Sequence, residues 1–491
     1  MTPALVVTVM VVYFSALLII AYITGKNADT NDFFNASKQA PWYLVAFGMI
    51  GTSISGVTFI SVPGWVGVGG NAFSYLQLIF GQVLGYITIA TVLLPLFYRL
   101  NLISIYTYLE QRFGFWSYKT GAAFFLLSRT IGSSLRLYLA ASVLQLFLFD
   151  AFNIPFGVTV AITIVLIWIY TFKGGIKTII WTDTFQTIFL VSSVVISVSL
   201  ISSELNWSLG EMISQVSQSK YSQIFFFEDW LDNKHFVKQF ISGAFIAIVM
   251  TGLDQDLMQK NLSCKNIKEA QKNMFSFTGI MLVVNVLFLT LGALLYLYSE
   301  HKGIPLPANS DDLYPTLALN NFGIFVGVFF LLGIIASSYA SSDSALAALT
   351  TSFCIDFLNF KNKDEKQKQS EKLRVHIGFS FLFLVIIVIA RETMTESVIY
   401  TVLKAASYTY GPLLGLFSFG LLTNRKINDQ WYTVPIISVA SPLITLLLNN
   451  YSQELFWGYK FSFETLLVNG LLCFIGLWLV SSKPDKQLQK L

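Results

Sequence analysis

Charged residues are scarce in this chain, and cysteine and histidine are scarcer still. Lysine, arginine, aspartate and glutamate together make up 12% of the 491 residues, about half the share found in soluble domains. Cys264, Cys354 and Cys473 lie far apart without metal-ligand spacing, so we interpret them as unpaired thiols. The three histidines fall in loops or at the edges of apolar segments. No histidine or cysteine cluster is available for a buried catalytic centre, and we expect no enzyme activity.

Hydrophobic residues, in contrast, make up 55% of the chain. Runs of about 20 apolar residues predict membrane-spanning helices. We therefore expect an all-α membrane protein, in which residues 1–491 form a single membrane domain. The first run, residues 3–23, has neither the basic N-terminal region nor the small-residue cleavage site of a signal peptide. The thirteen predicted segments, in chain order, are 3–23, 42–67, 72–98, 117–149, 154–172, 176–202, 236–256, 273–299, 320–355, 373–391, 396–422, 432–449 and 463–481.

Lysine and arginine are distributed unevenly over the loops between these segments. Of the 31 basic residues, 22 fall in loops on one side, six on the other, and Arg129, Arg136 and Lys404 within segments. Loops rich in lysine and arginine stay in the cytoplasm. This predicts a cell-membrane protein with its N-terminus outside and its C-terminus inside. The two longest loops, 203–235 and 357–372, are polar and are interpreted as solvated connections.

The second segment contains too many small polar residues for an ordinary spanning helix. Glycine and hydroxyl residues weaken the helix ladder and free backbone carbonyls, which hydrocarbon tolerates only where they line a protein cavity. We therefore predict an interrupted helix that binds an ion and a solute, with close helix packing as the alternative. The small residues at its centre are Gly51, Thr52, Ser53, Ser55, Gly56 and Thr58, followed by Pro63 and Gly64.

The seventh segment repeats this pattern. It breaks at Thr251 and Gly252 and continues with Asp254, Gln255 and Asp256. Two interrupted segments five apart are typical of an inverted repeat of five helices plus five. We predict the repeats to be 42–202 and 236–422, with peripheral helices at 3–23, 432–449 and 463–481.

Two further acids fall at membrane depth, where ionisable side chains are costly and are functional candidates. Asp183 lies in GGIKTIIWTDTFQ (Gly174 to Gln186), and an ion pair with Lys177 is its structural alternative. Asp343 lies among five serines between Ala336 and Leu346. Hard oxygen ligands suit a small hard cation, whereas serines that pack helices closely are the alternative.

Arg129, Ser133, Arg136 and Ala140 share one face of the fourth segment, because they are spaced by three or four residues. Two arginines on one face could hold a carboxylate of a solute. Equally, they could pair with Asp183 or Asp343. The pattern alone does not decide between these hypotheses.

Four of the motifs described above, together with two others, resemble the sodium:solute symporter family. That family includes bacterial proline, sialic-acid and galactose carriers and animal glucose, iodide, monocarboxylate and vitamin carriers. The resemblance covers most of the chain and implies the leucine-transporter inverted-repeat fold. Its motifs here are SISGVTFISVPG, LISIYTYLEQRF (Leu102 to Phe113), GGIKTIIWTDTFQ, LDQDLMQKN, ASSDSAL and YGPLLG.

The resemblance also implies binding residues, matched position by position. A sodium ion would take backbone carbonyls of Gly51, Ile54, Ser337 and Ala340 and the hydroxyl of Ser341. The family has two adjacent hydroxyl residues where this chain has Ala340-Ser341, so Ser342 could supply the missing one. A second sodium site, which occurs in some members, would match Asp183, Asp343 and Ser344. Solute would contact Ser53, Ser55, Thr58 and Gln82, together with Arg129 or Arg136 if it is acidic.

We therefore expect a sodium-driven symporter that imports a small polar organic solute, namely a sugar, a sialic acid or an organic acid, by alternating access. Its expected partners are sodium ions, the solute and the lipid bilayer, with no nucleic acid, and the transport unit is expected to be a monomer. A transporter-like sensor with a separate signalling partner is the alternative.

Overall fold

The structure, a computed structural model, describes residues 3–25, 38–171, 175–358, 360, 363–394, 397–428 and 432–483. It is mostly helical, as predicted. Within these ranges the only paired strands are two residues each, Lys426–Ile427 and Ser481–Ser482, which run antiparallel. The start of the GGIKTII motif, at Gly174, lies outside the described residues.

Every predicted segment contains helix. Seven helices are long and apolar enough to cross a membrane, or nine if each of two bent pairs counts as one, over the part of the chain that the structure describes. The helices of the thirteen segments are Pro3–Gly25, Trp42–Ser53 with Gly56–Trp65, Tyr75–Arg99, Phe115–Leu144, Phe156–Thr171, Gly175–Glu204, Phe236–Gly252 with Gln255–Leu262, Ile267–Lys302, Gly323–Asp356, Glu365–Thr393, Val398–Thr409 with Gly411–Leu422, Thr433–Asn450 and Thr465–Val480.

The connections are more ordered than their polar composition suggests. The loop 203–235 contains the helix Leu209–Gln218, which begins with a capping box between Ser208 and Glu211. The tenth helix begins at Glu365, inside the predicted linker, because the Asp364 side chain accepts a hydrogen bond from the Gln367 amide. The other short helices are Thr107–Arg112, Leu313–Asn320 and Ser452–Leu455, with 3₁₀ turns at Val68–Gly70, Asp150–Phe152 and Ser310–Asp312 and π turns at Ile89–Leu93, Gln145–Phe149 and Ile248–Gly252.

The ninth helix, Gly323–Asp356, lies at the centre of the molecule. Every residue from Gly333 to Ser352 is buried. It packs against the helices of the second, fourth, sixth and tenth segments. The serine-rich stretch around Asp343 therefore faces protein on all sides.

The third and seventh segments approach each other through paired glycines. A Cβ built at Gly81 would overlap the carbonyl oxygen of Phe240, and one built at Gly243 would overlap that of Leu78. Backbone-to-backbone contact of this kind needs small residues at the interface. It holds the first half of the seventh segment tightly against the third.

Candidate binding site at the broken helices

The helix of the second segment breaks at Ile54 and Ser55, within the predicted stretch, and its two halves meet at 59°. The last backbone hydrogen bond before the break runs from the Ile54 amide to the Ile50 carbonyl (2.7 Å), and the first one after it runs from the Phe59 amide to the Ser55 carbonyl (3.0 Å). Among the described residues, no backbone amide donates to the intervening carbonyls from Gly51 to Ile54. Such carbonyls are available to a cation.

This break faces the centre of the ninth helix. A Cβ built at Gly51 would lie 3.5 Å from the Ala340 Cβ, and one at Gly56 would overlap the Ser338 hydroxyl. The absence of a side chain at Gly56 allows this approach, whereas Gly51 allows close contact with Thr187 of the sixth helix, whose hydroxyl would lie 2.6 Å from a Cβ at Gly51. The predicted first sodium ligands therefore come from two elements that are in contact.

The serine hydroxyls beside the break differ in their bonding. Those of Ser337 and Ser341 donate to carbonyls of their own helix, at Ile334 (3.1 Å) and Ser338 (3.0 Å). The hydroxyls of Ser338 and Ser342 are buried and make no hydrogen bond to a described residue. The ligand set Gly51, Ile54, Ser337, Ala340 and Ser341 stays a prediction.

Asp183 has a cationic partner that the sequence analysis did not identify. Its Oδ2 accepts hydrogen bonds from the Lys260 ammonium and from the Thr52 hydroxyl, the latter at 3.0 Å. Lys260 is 1% exposed and Asp183 is fully buried. The predicted alternative, an ion pair with Lys177, is wrong. The sequence analysis counted Lys260 among the 22 basic residues in loops on the cytoplasmic side, and this is also wrong, because the second half of the seventh segment extends to Leu262.

The predicted group of Asp183, Asp343 and Ser344 is only partly brought together. The two aspartates interact electrostatically across the interface of the sixth and ninth helices. The Ser344 hydroxyl instead donates to Asp256 Oδ1. Neighbouring residues on a helix point about 100° apart, so Asp343 and Ser344 face different helices.

Arg129 is neutralised by the seventh segment. Its guanidinium pairs with Asp256 Oδ2 and lies 3.8 Å from Asp254 Oδ2, which also accepts a hydrogen bond from the Tyr410 hydroxyl. The predicted alternative of a pair with Asp183 or Asp343 is wrong for Arg129, because those acids lie beside other helices. This network therefore joins the helix of the fourth segment to the breaks of the seventh and eleventh segments.

Arg136 is different. Its half-buried guanidinium lines a central cavity, and no described residue forms an ion pair or hydrogen bond with it. Asp254 and Asp256 influence it only at longer range. An arginine held at depth without an acid partner is a candidate for binding an anion.

The central cavity has a volume of about 90 Å³ and brings together all six predicted solute residues. Their role in binding stays a prediction, but their grouping is a property of the structure. Tyr75, Tyr86, Met250, Met281 and Asn285, which the sequence analysis did not identify, also line it. The six are Ser53, Ser55, Thr58, Gln82, Arg129 and Arg136.

A larger cavity of about 750 Å³ lies around the second half of the second segment. Ser61, Trp65, Tyr296, Ser310 and Tyr400 are among its lining residues. The turn Ser310–Asp312 packs closely here, since a Cβ at Gly64 would overlap the Ser310 carbonyl. The broken segment therefore borders both cavities.

The part of the network that the sequence analysis missed had a detectable signal. Asp256 and Lys260 are four residues apart, on one face of the helix that follows the break. This spacing identifies the two residues as neighbours on the helix, although the structure pairs Lys260 with Asp183 and Asp256 with Arg129.

Comparison with known proteins gives a consistent result. The model of the sodium:solute symporter family matches residues 33–430. The chain is similar to the sodium/sialic acid symporter NanT of Aliivibrio fischeri, with 25% identity over 442 residues that cover 88% of this chain and 85% of the relative. It is also similar to the sodium-coupled monocarboxylate transporter 1 of Mus musculus, with 28% identity over 82% of this chain and 66% of the relative.

Solved structures share the fold. A substrate-bound, outward-open Na⁺-coupled sialic acid symporter matches with a TM-score of 0.81 at 20% identity, over 98% of this chain and 99% of the other. Mhp1, a nucleobase-cation-symport-1 transporter in a closed conformation, matches with a TM-score of 0.55 at 17% identity, over 92% and 95%. These results confirm the predicted transporter fold class, the coupling ion sodium and the location in a membrane. The chain belongs to the sodium:solute symporter family.

Proposed function

We propose that this protein imports a small organic carboxylate together with sodium by alternating access. The observation that carries the proposal is Arg136, which lines the central cavity beside Ser53, Ser55 and Thr58 and has no acid partner among the described residues. A guanidinium and several hydroxyls match the carboxylate and polar groups of an organic acid.

The size of the cavity limits the solute. A volume of about 90 Å³ holds several water molecules, which corresponds to a compact acid. The relatives named for monocarboxylates and for sialic acids both carry carboxylate solutes. The smaller class fits the cavity as it stands, and the flexible side chains of Met250 and Met281 are part of its lining.

For the ion, we propose the break of the second segment and the facing ninth helix. The carbonyls of Gly51 and Ile54, the carbonyls of Ser337 and Ala340 and the hydroxyl of Ser341 would contact sodium. This is supported by the carbonyls from Gly51 to Ile54, to which no backbone amide in the described part of the chain donates. Because Ser53 and Ser55 lie on the same break and line the cavity, ion and solute stabilise one local structure, which couples their binding.

The membrane arrangement is also a proposal. The thirteen helical segments would each cross the bilayer, with the N-terminus outside, the C-terminus inside and repeats at 42–202 and 236–422. The breaks at equivalent places in the second and seventh segments support the repeats. The transport unit would be one chain.

The membrane potential would contribute to uptake if the cycle carries net charge. For each net positive charge carried inward, a potential of 100 mV supplies about 2.3 kcal/mol, which corresponds to roughly 50-fold accumulation of the solute.

Uptake into proteoliposomes tests the proposal. Pyruvate, N-acetylneuraminate, glucose and proline are offered with and without a sodium gradient. We expect sodium-dependent uptake of pyruvate, lost in Arg136→Gln by roughly 30-fold or more, since truncating one partner of a buried charge pair costs about 2–5 kcal/mol. Arg391→Gln, at an exposed arginine of the tenth helix, is the matched control. Uptake of glucose or proline instead, unchanged in Arg136→Gln, would contradict the carboxylate assignment.

A further inference from the structure

The interruption of the eleventh segment is closed by a side chain from another helix. Pro412 has no amide hydrogen to donate to Tyr408, and no described backbone amide donates to the carbonyls of Ser407 and Tyr408. The Asn469 amide of the thirteenth helix donates to these two carbonyls, at 3.1 and 2.8 Å. Asn469 is fully buried, so it satisfies backbone groups that the interior of the protein would otherwise leave unpaired.

Small residues bring the thirteenth helix to this place. A Cβ built at Gly411 would overlap the Asn469 side chain, and one built at Gly415 would overlap the Cys473 Cβ. A larger side chain at Gly411 would therefore push Asn469 away from the two carbonyls. Although the thirteenth helix lies outside the proposed repeats, it is fitted closely to the interrupted part of the eleventh segment.

Tyr410 lies at this interruption and reaches the seventh segment. Its hydroxyl donates to Asp254 Oδ2, while Asp254 Oδ1 accepts a hydrogen bond from the Asp256 amide at 2.9 Å. Asp254 thus caps the second half of the seventh segment with one oxygen and is held by the eleventh segment with the other. The eleventh segment therefore fixes the orientation of this carboxylate through Tyr410.

The orientation of Asp254 matters because two arginines lie near it. Arg129 pairs directly with Asp256, and Asp254 Oδ2 lies 3.8 Å from the same guanidinium. Arg136 is seven residues further along the same helix face, about 10.5 Å along the axis, and interacts with Asp254 only at longer range. If Asp254 turned towards Arg136, it would occupy the guanidinium that is proposed to bind the solute.

We propose that Tyr410 is a positioning residue for the solute site, because it keeps Asp254 beside Arg129. Arg136 is then left open to the carboxylate of the solute, and Asn469 holds Tyr410 in place. The proposal rests on the proposed function of Arg136 and extends it. An acid of the protein that reaches Arg136 competes with the solute, so that the apparent affinity falls in proportion to the fraction of molecules in which Arg136 is free.

Uptake of pyruvate into proteoliposomes at saturating sodium, measured over a range of pyruvate concentrations, tests the proposal. Tyr410→Phe removes only an oxygen. It should raise the KM for pyruvate roughly tenfold or more, since a hydrogen bond to a charged group contributes at least about that factor, and should change the maximal rate less. The affinity of the purified protein for ²²Na⁺ without solute should stay unchanged. Asn469→Leu should raise the KM in the same direction.

Tyr408→Phe and Asn449→Leu are the matched controls. The Asn449 amide donates to the Tyr408 hydroxyl at 2.8 Å, which joins the eleventh segment to the twelfth helix through side chains alone. Both control variants should therefore keep the KM of the wild type.

The double variant Tyr410→Phe, Asp254→Asn separates positioning from a general effect on folding. Asparagine keeps an acceptor that caps the helix but cannot form an ion pair with Arg136, and Arg129 keeps Asp256. In the Asp254→Asn background, Tyr410→Phe should therefore change the KM by no more than about twofold, the range within which independent substitutions add.

A wild-type KM in Tyr410→Phe would overturn the proposal, as would an increase that persists in full in the Asp254→Asn background. A wild-type protein that takes up no pyruvate, or takes it up no better than Arg136→Gln, would instead refute the proposed function of Arg136 and the positioning role with it.

Discussion

Lys260 and Asp183 form an ion pair in the interior of the protein, and the Lys260 ammonium also donates to the Thr52 hydroxyl. The three residues belong to the seventh, sixth and second segments. The pair therefore connects both broken segments to an unbroken helix between them. It also gives the Asp183 carboxylate a counter-charge within the protein.

Lys260→Met should strongly destabilise the protein. Removing one partner leaves a buried carboxylate uncompensated, which costs about 3–5 kcal/mol. Denaturant unfolding of the purified protein measures the loss. The double variant Lys260→Met, Asp183→Asn should recover part of it, because no charge then remains. Lys302→Met is the control: its partner Glu204 is 3.2 Å away on the surface, and such pairs are worth about 0.2–1 kcal/mol. Equal losses for both lysines would contradict the structural role of Lys260.

Ser341→Ala should raise the sodium concentration at half-maximal uptake several-fold while the yield of folded protein stays unchanged, because one hard oxygen is lost from the ion. Sodium activation of uptake measures this directly. Ser337→Ala is the control, since only its backbone carbonyl is proposed as a ligand. A larger effect of Ser338→Ala or Ser342→Ala, whose hydroxyls have no hydrogen-bond partner among the described residues, would shift the ligand assignment by one residue.

Gly81→Ala should prevent stable folding or cost several kcal/mol, because the added methyl group would collide with the Phe240 backbone, which cannot rotate away. Thermal unfolding and the monodisperse fraction on size exclusion measure the effect. Gly279→Ala in the eighth helix meets nothing within 4 Å. It should be neutral or stabilise by up to about 1 kcal/mol, as alanine favours helix. Similar stability for both variants would show that the two segments are not in backbone contact.

Asp311 should make stability depend on pH. It lies between the eighth and ninth segments, where burial raises the pKa of its carboxyl group and Oδ2 accepts a hydrogen bond from the Val398 amide at 3.1 Å. A raised pKa means that the folded state binds the proton more tightly. The stability therefore falls as the pH rises from about 4 through the pKa of the folded state.

Asp311→Asn keeps an acceptor for Val398 and removes the charge. Its melting temperature should exceed that of the wild type near neutral pH, and the difference should shrink towards pH 4. Asp229→Asn, at an exposed loop position, should follow the wild-type curve. A constant difference at all pH values would mean that Asp311 does not titrate in this range.

Local sequence patterns predicted the helices and their interruptions because both depend on neighbouring residues. The glycines and hydroxyl residues around Ile54 define the first break, and Gly252 with Asp254 the second. The six cavity residues were also predicted, through the family resemblance. Partners across helices were not, since no periodicity relates Lys260 to Asp183 or Arg129 to Asp256.

The length of the eighth helix has a consequence for the larger cavity. Ile267–Lys302 contains 36 residues, about 54 Å of helix, against a hydrocarbon layer of about 30 Å. The surplus near Lys302 is fixed by Glu300, which accepts hydrogen bonds from Lys220 and Tyr221. Since Tyr296 lines the larger cavity, the fixed end of this helix forms one wall of that cavity. Because this wall is held by the loop 203–235, the width of the larger cavity should vary little between thin and thick membranes.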